Sequence, residues 1–387
     1  MLVGPRAAGK TTTASRHAAT LIRLDEPREA IAFRADPDAA LRGLPEPVLL
    51  DEWQVVPEVL GAVKRAVDRD RRPGRYLLAG SARADLAVPT WPGTGRVVRL
   101  PLYGMTVAEQ IGRPDIVPLL DRLVQGQHLA APARPPDLRD YVELSLRGGL
   151  PEAALLLTGE ARRRWLESYV ENVVTRDVEA IEPARDPSRL RRYFQAYVVC
   201  TGRVVDETTL LESAGVARGT ARAYERLLEA LMVVERMPAW FTNRLKRLVR
   251  APKRFVTDTG LVTGALRIDV DDALRDGDLL GRLLETFVVA QLRAEAVVAE
   301  SRPRLHHLRV AQGRHEVDLV AEYPGGRVAG IEVKADAAPG PEAAKHLRWL
   351  RDRLGRRFVG GLVLHTGPRV YPLDDGIMAA PIATLWT

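Results

Sequence analysis

The sequence predicts an α/β protein with three parts in order. A phosphate-binding loop sits in a parallel sheet, a helical stretch ends in a helix–turn–helix and a basic hairpin, and an α/β end domain follows. Three observations predict this. Residues Gly4-Pro5-Arg6-Ala7-Ala8-Gly9-Lys10-Thr11 fit G-x-x-x-x-G-K-[ST] at every fixed position. An apolar run, Pro47-Val48-Leu49-Leu50, then delivers the acid pair Asp51-Glu52. Far downstream, Glu332-Val333-Lys334 closes a hairpin that brings back Asp318.

The loop comes first because its chemistry is the most specific. Glycines let the backbone turn tightly enough for successive N–H groups to face a phosphate, and Lys10 reaches the β/γ-phosphates of ATP. The Thr11 hydroxyl can ligate Mg²⁺, and Thr12 stands beside it. Residues 12–19 read as the helix whose start receives the anion.

The run into Asp51-Glu52 suits a buried parallel strand that presents acids at a sheet's C-terminal edge. Asp51 is placed to hold Mg²⁺ through water, and Glu52 to polarise the water attacking the γ-phosphate. A third strand, Arg75 to Ser81, ends in a hydroxyl suited to sensing that phosphate. An acid pair after an apolar run is commonplace by itself. Its order and spacing after the loop make it informative.

Composition limits the alternatives. A length of 387 residues allows several cores, and the single cysteine, Cys200, excludes an internal disulfide and fits a reducing cytoplasm. No apolar stretch approaches the ~18 residues needed to cross a bilayer, and no signal peptide opens the chain. A net charge of +7 and a pI near 9.7 permit nucleic-acid binding. Only six residues are lysine against 51 arginines. An ammonium and a guanidinium are not interchangeable at a phosphate, so the few lysines draw notice, and Lys10 and Lys334 fall inside motifs.

Residues 126–137 form a Pro/Ala-rich break. Helical patterns follow over 162–180 and 187–200. Residues 208–214 read as a short helix, Gly215-Val216 as a turn, and 218–232 as a second helix with Ala221, Tyr224, Leu227, Leu228 and Leu231 on its apolar face. Arg218, Arg222 and Arg226 fall on the other side. Strand-like pieces at 233–236 and 253–256 bracket a stretch with no acid from Arg236 to Thr257, which carries Arg244, Lys246, Arg247, Arg250, Lys253 and Arg254. That order is the order of a winged helix, which presents such residues to DNA but also serves to dock proteins. Six hairpin cations, each neutralising one phosphate, give a log–log salt slope near about −5.

In the last third, residues 279–298 read as an amphipathic helix carrying Glu285. Strand-like 305–310, 316–321 and 328–334 follow, the last two joined by Pro324-Gly325-Gly326. Glu332 and Lys334, two apart in a strand, share a face, and the hairpin sets Asp318 beside them. Two carboxylates and a lysine at one point can hold Mg²⁺ and neutralise a pentavalent phosphate, the chemistry of phosphodiester cleavage. An exposed hairpin with a surface ion pair is the plain alternative.

These residues together resemble the prokaryotic AAA-type ATPases that carry a C-terminal domain of unknown function, the DUF4143 proteins. The likeness spans essentially the whole chain. Besides the loop and Asp51-Glu52 it rests on Ala79-Gly80-Ser81, Gly95-Arg96 before Leu100-Pro101-Leu102, Gly148-Gly149-Leu150-Pro151-Glu152, residues 169–177, 253–261 and 281–288, Glu316-Val317-Asp318, and residues 331–334. It implies an AAA-like P-loop NTPase core over 1–130, a helical linker or lid over 131–200, a winged helix over 201–270, and a PD-(D/E)XK nuclease-like domain over 271–387. It also suggests DNA processing, defence or toxin–antitoxin linkage as settings. Arg96 becomes the candidate arginine finger, with Arg83 in reserve, and a finger supplied across a subunit boundary implies a homo-oligomer. Two features depart from the family pattern. Only Met1-Leu2-Val3 precede Gly4, where members have a full first strand, so a shortened start with weakened adenine packing is expected. Ala7 stands where relatives commonly have glutamine, a change that backbone amides tolerate.

Overall fold

The computed structural model describes residues 1–80, 94–177, 186–205, 207–242, 251–310 and 314–387. These fall into two compact units, one gathering Met1–Tyr103 with Arg226–Val233, the other holding the rest. Among the described residues no helix is long and apolar enough to cross a membrane.

The first unit is built on five parallel strands, β1 (Leu2–Val3), β2 (Thr20–Arg23), β3 (Val48–Asp51), β4 (Tyr76–Ala79) and β5 (Leu100–Pro101), in the order β2-β3-β4-β1-β5. The two-residue β1 is hydrogen-bonded on both sides, with Leu2 opposite Ala79 and Leu100. Strand β3 is buried along its whole length, which accounts for its uninterrupted Val-Leu-Leu run. Helices α1 (Lys10–Ser15), α2 (Pro27–Ala35), α3 (Pro37–Leu41) and α4 (Val59–Arg69) connect the strands. Leu24, Phe33, Val48, Leu50, Trp53, Val63 and Leu78 form its principal core. The expected helix over 12–19 starts earlier and stops at Ser15. His17 and Ala18 make only three-residue turns, and the Ala19 N–H donates to Pro47 O, so the chain is already entering the sheet.

The second unit begins with α5 (Val107–Gln110), α6 (Leu119–Val124) and α7 (Leu138–Arg147), the last opened by a reciprocal cap between Asp137 and Asp140. After α8 (Gly159–Asn172) and α9 (Pro187–Val199) come α10 (Glu207–Ala214) and α11 (Arg218–Ala230), of which the residues from Arg226 on are counted with the first unit. Strands β6 (Val234–Met237) and β7 (Lys253–Val256) pair antiparallel. The tyrosines of this region pack together: the Tyr193 and Tyr224 rings lie 5.8 Å apart, and Tyr197 Oη donates to Glu235 O at 2.9 Å. Two π-helical turns, Glu152–Leu156 and Val173–Asp177, interrupt the helices.

One carboxylate gathers three distant loops. Asp258 is buried and accepts from Gly149 N at 2.9 Å and Gly260 N at 2.8 Å. A Cβ at Gly148, whose φ is +69°, would lie 2.2 Å from Asp258 Oδ1, and one at Gly104 2.4 Å from Oδ2. Only glycine fits either position.

Helices α12 (Gly260–Leu266) and α13 (Val270–Arg275) lead to the long α14 (Gly277–Val298). A mixed six-stranded sheet follows: β8 (Arg304–Val310), β9 (His315–Glu322), β10 (Val328–Val333), β11 (Phe358–His365), β12 (Tyr371–Asp374) and β13 (Ile377–Pro381), in the order β12-β13-β11-β10-β9-β8. Strands β8–β9–β10 run antiparallel and β10–β11–β13 parallel. Helix α15 (Lys345–Leu354) covers the sheet with Leu347 and Leu350, in a core with Val317, Val320, Val328 and Val363.

Candidate functional site

The phosphate-binding loop has the shape its sequence requires. A Cβ at Gly4 would lie 2.2 Å from Leu102 O, so the backbone just past β5 leaves room only for hydrogen. Pro5 and Ala8 are buried, while Arg6, Ala7 and Thr12 are exposed. Ala7 and Gly9 have φ of 57° and 85°, two left-handed turns that curl the loop and bring its amides toward one side. Because α1 has six residues, anion capture falls on these local N–H groups rather than on a long helix dipole.

Lys10 opens α1 and is 9% exposed. Its Nζ donates to Pro5 O at 2.7 Å and Gly4 O at 3.1 Å, folded over the loop it belongs to. Burial lowers its pKa from the usual lysine value, against the pull of Glu52 and Asp51. Thr11 Oγ1 donates to both oxygens of Asp51, at 2.9 and 3.1 Å. Burial raises the Asp51 pKa, with the Thr11 bond opposing. A Mg²⁺ bound with a nucleotide draws most of its ligands from phosphates and water, so one hydroxyl and one carboxylate suffice. The loop therefore fits ATP and Mg²⁺.

Glu52 follows β3 with φ of 50°, and its carboxylate accepts from Gln54 Nε2. Gln54 Oε1 is buried without a hydrogen-bond partner, a polar atom left unsatisfied beside the acid pair. Arg96 Nε lies 2.5 Å from Asp68 Oδ1 of α4, so the finger candidate is engaged with an acid of its own chain. Ser81 and Arg83 lie outside the described residues.

The end domain gathers its predicted acids as the hairpin suggested and adds one cation. Helix α14 presents Glu285, β9 presents Asp318, and β10 presents Glu332 with Lys334 just beyond. Lys334 Nζ donates to Glu332 Oε2 at 2.8 Å, and Val333 N donates to Asp318 Oδ2 at 3.0 Å. The addition is Lys253 from β7, 2% exposed, with Nζ 2.5 Å from Glu285 Oε1, 3.3 Å from Asp318 Oδ1 and 3.9 Å from Glu316 Oε1.

The electrostatics follow from burial. Desolvation pushes Glu285 up to about 8 against the pull of Lys253, and desolvation with the neighbouring Asp318 pushes Glu332 up to about 8. Burial also acts to raise Asp318, yet Lys253 and Lys334 outweigh it and hold that pKa below the ordinary value. Burial acts to lower Lys253, and Glu285 and Asp318 outweigh it, leaving the ammonium more firmly protonated than usual.

The sequence suggested Mg²⁺ beside Asp318 and Glu332. The donor chemistry suits a hard cation, but the space between Asp318 and Glu285 holds the Lys253 ammonium. Among the described residues no group of three or more His, Cys, Asp or Glu is arranged to hold a metal ion. The residues as placed do not fit a divalent ion.

Arg218, Arg222 and Arg226 are exposed on α11, opposite the buried Ala221, Tyr224, Leu227 and Leu228. Arg244, Lys246 and Arg247, with Arg250, lie outside the described residues. The structure corrects the reading of the other two hairpin cations. Lys253 is in the acid cluster, and Arg254 is 6% exposed, donating to Glu225 Oε1 at 2.9 Å and Val205 O at 2.8 Å. Neither faces solvent. Sequence reasoning missed Lys253 as a site residue. The available signal was that an arginine-rich chain keeps a lysine there, as it does at Lys10 and Lys334.

Comparisons with known proteins find three family matches along the chain. Residues 1–111 match an AAA domain, 138–272 a domain of unknown function (DUF8612), and 280–385 a domain of unknown function (DUF4143). Uncharacterized proteins from Mycobacterium tuberculosis and Mycobacterium bovis are each 30% identical over 390 residues, covering 100% of this chain and 80% of the relative.

Proposed function

This chain belongs to the family of AAA-domain proteins with a C-terminal DUF4143 region, and on that premise we propose that it is a Mg²⁺-dependent ATPase whose nucleotide state controls engagement of DNA. One observation supports the catalytic half above all: Thr11 is hydrogen-bonded to Asp51 beside Lys10. These two residues stand forty positions apart in sequence, and their pairing supports a triphosphate-binding role.

Each residue has a role in this reading. The backbone from Gly4 to Thr12 cradles the phosphates, and Lys10 exchanges the carbonyls of Gly4 and Pro5 for phosphate oxygens. Bound Mg²⁺ would neutralise charge between the β- and γ-phosphates. Thr11 and Asp51 would hold it. Glu52, steadied by Gln54, orients and polarises the attacking water. Ser81 senses the γ-phosphate, and Arg96, released from Asp68, serves as the finger toward a second copy of the chain.

The DNA half rests on the net charge of +7, the arginine face of α11 and the basic residues between β6 and β7, read as a winged helix. The end domain is read as PD-(D/E)XK nuclease-like in topology, adding a second nucleic-acid surface. A second reading is a nucleotide-switched regulator that docks DNA or a protein partner without cutting, in a defence or toxin–antitoxin setting. The position of Lys253 favours that variant of the end domain. A cytoplasmic location fits the single cysteine.

Calorimetry with ATP and Mg²⁺ tests the central claim. Wild-type protein should bind, and Lys10→Ala should bind roughly 10- to 100-fold more weakly, the loss expected for a charge-assisted hydrogen bond. No heat from the wild type, or equal affinity in both, would remove the reading.

A further inference from the structure

The acid cluster of the end domain raises a question the nucleotide reading does not answer. Glu285, Asp318 and Glu332 are the oxygen donors a divalent cation would use, and they converge from a helix and two strands. Yet four of their six oxygens are taken. Lys253 Nζ sits against Glu285 Oε1 and Asp318 Oδ1, Val333 N occupies Asp318 Oδ2, and Lys334 Nζ occupies Glu332 Oε2. Two oxygens are left over, Glu285 Oε2 and Glu332 Oε1, the latter buried and without a hydrogen-bond partner. Two oxygens can hold a water, whereas Mg²⁺ takes about six oxygen ligands.

The ammonium is also fixed from behind. Lys253 pairs with Met237 across β6–β7, and every residue of β7 is buried. The next residue is held by its backbone, with Arg254 N donating to Arg203 O at 3.0 Å and Gly202 N donating to Arg254 O at 2.8 Å. The Arg254 side chain is held by Glu225. Withdrawing Lys253 would mean dismantling a buried strand.

We infer that Lys253 is a resident substitute for the divalent cation, so that the carboxylate pocket is neutralised by the chain itself and fastens β7 to the DUF4143 sheet. Two ammonium groups, Lys253 and Lys334, face three buried carboxylates, and the half-exposed Glu316 adds a fourth at 3.9 Å. The end domain then cannot use a metal ion in this pocket to cut a phosphodiester. It offers a holding surface. This goes beyond the ATPase reading and stands if that reading fails.

The test is Mn²⁺ binding by the full chain, followed through the electron paramagnetic resonance of free Mn²⁺. It is run without nucleotide in an Asp51→Asn background, which takes the phosphate-binding loop out of the measurement. The parent and its Glu332→Gln variant should bind Mn²⁺ alike. Lys253→Met should gain one site at least tenfold tighter than any in the parent, and adding Glu332→Gln should abolish it. A site in the parent that Glu332→Gln removes would overturn the inference, as would a folded Lys253→Met that gains none. Should Lys253→Met fail to fold, the comparison of parent with Glu332→Gln decides alone. Plasmid left intact with Mg²⁺ or Mn²⁺ is the matching expectation, and cutting that Glu332→Gln abolishes overturns it.

Discussion

Lys253 shows how differently one residue can read in sequence and in space. Along the chain it belongs to a basic run and suggests surface. In the fold it lies among acids drawn from residues 285 to 318, an arrangement no local pattern announces. Lys10, Thr11 and Asp51 were legible because two of them are adjacent and the third ends a strand whose apolar run marks it. Removing one member of a buried charged pair typically costs about 3–5 kcal/mol, because the partner is left uncompensated. Lys253→Met should therefore lower the urea midpoint strongly, and Lys253→Met with Glu285→Gln should recover part of the loss. Glu332 yields a prediction about pH. Its folded pKa of about 8 lies above the ordinary carboxyl value, so the folded state favours the protonated form. The stability this contributes is complete below the unfolded pKa of about 4.3 and is lost as pH rises through about 8. The stability advantage of wild type over Glu332→Gln should shrink between pH 5 and 9, measured by urea unfolding at each pH.

At the level of elements, periodicity located helices α1, α8–α11 and α14 and strands β3, β4 and β6–β10, but few of their partners. The apolar face of α11 was readable residue by residue, as was the hairpin joining β9 to β10. The order β2-β3-β4-β1-β5 was not, because strand pairing at long separation leaves no mark on composition. Nor were the two π-helical turns, since one extra residue per turn shifts a helical pattern without ending it. The buried pair Lys253 and Arg254 changes a quantity. Of six hairpin cations, Arg244, Lys246, Arg247 and Arg250 remain for phosphates, so the slope of log affinity against log salt should be about −4 rather than about −5. Replacing Arg218, Arg222 and Arg226 with alanine should make that slope shallower by about one for each phosphate no longer neutralised, measured by fluorescence anisotropy on duplex DNA over a salt series. An affinity indifferent to salt would leave the basic stretch and α11 without a nucleic-acid role.

For the whole molecule, coupling between nucleotide and DNA is a thermodynamic statement and must be reciprocal. If a non-hydrolysable ATP analogue changes DNA affinity by some factor, DNA must change the affinity for the analogue by the same factor. Coupling energies of this kind typically correspond to about 5- to 150-fold. The two titrations can be made independently on one preparation. A shift in one without the other would mean aggregation or a second binding mode, and no shift in either would reduce the protein to two independent activities.

The carboxylate of Asp258 has a consequence for how the chain is made. It closes on Gly149, which precedes it by 109 residues. Ribosomes add about 5–20 residues per second, so that loop waits on the order of 5–20 s after synthesis for the group that satisfies it. A nascent chain halted before residue 258 should leave this stretch open to proteases, and one carried past Gly260 should close it.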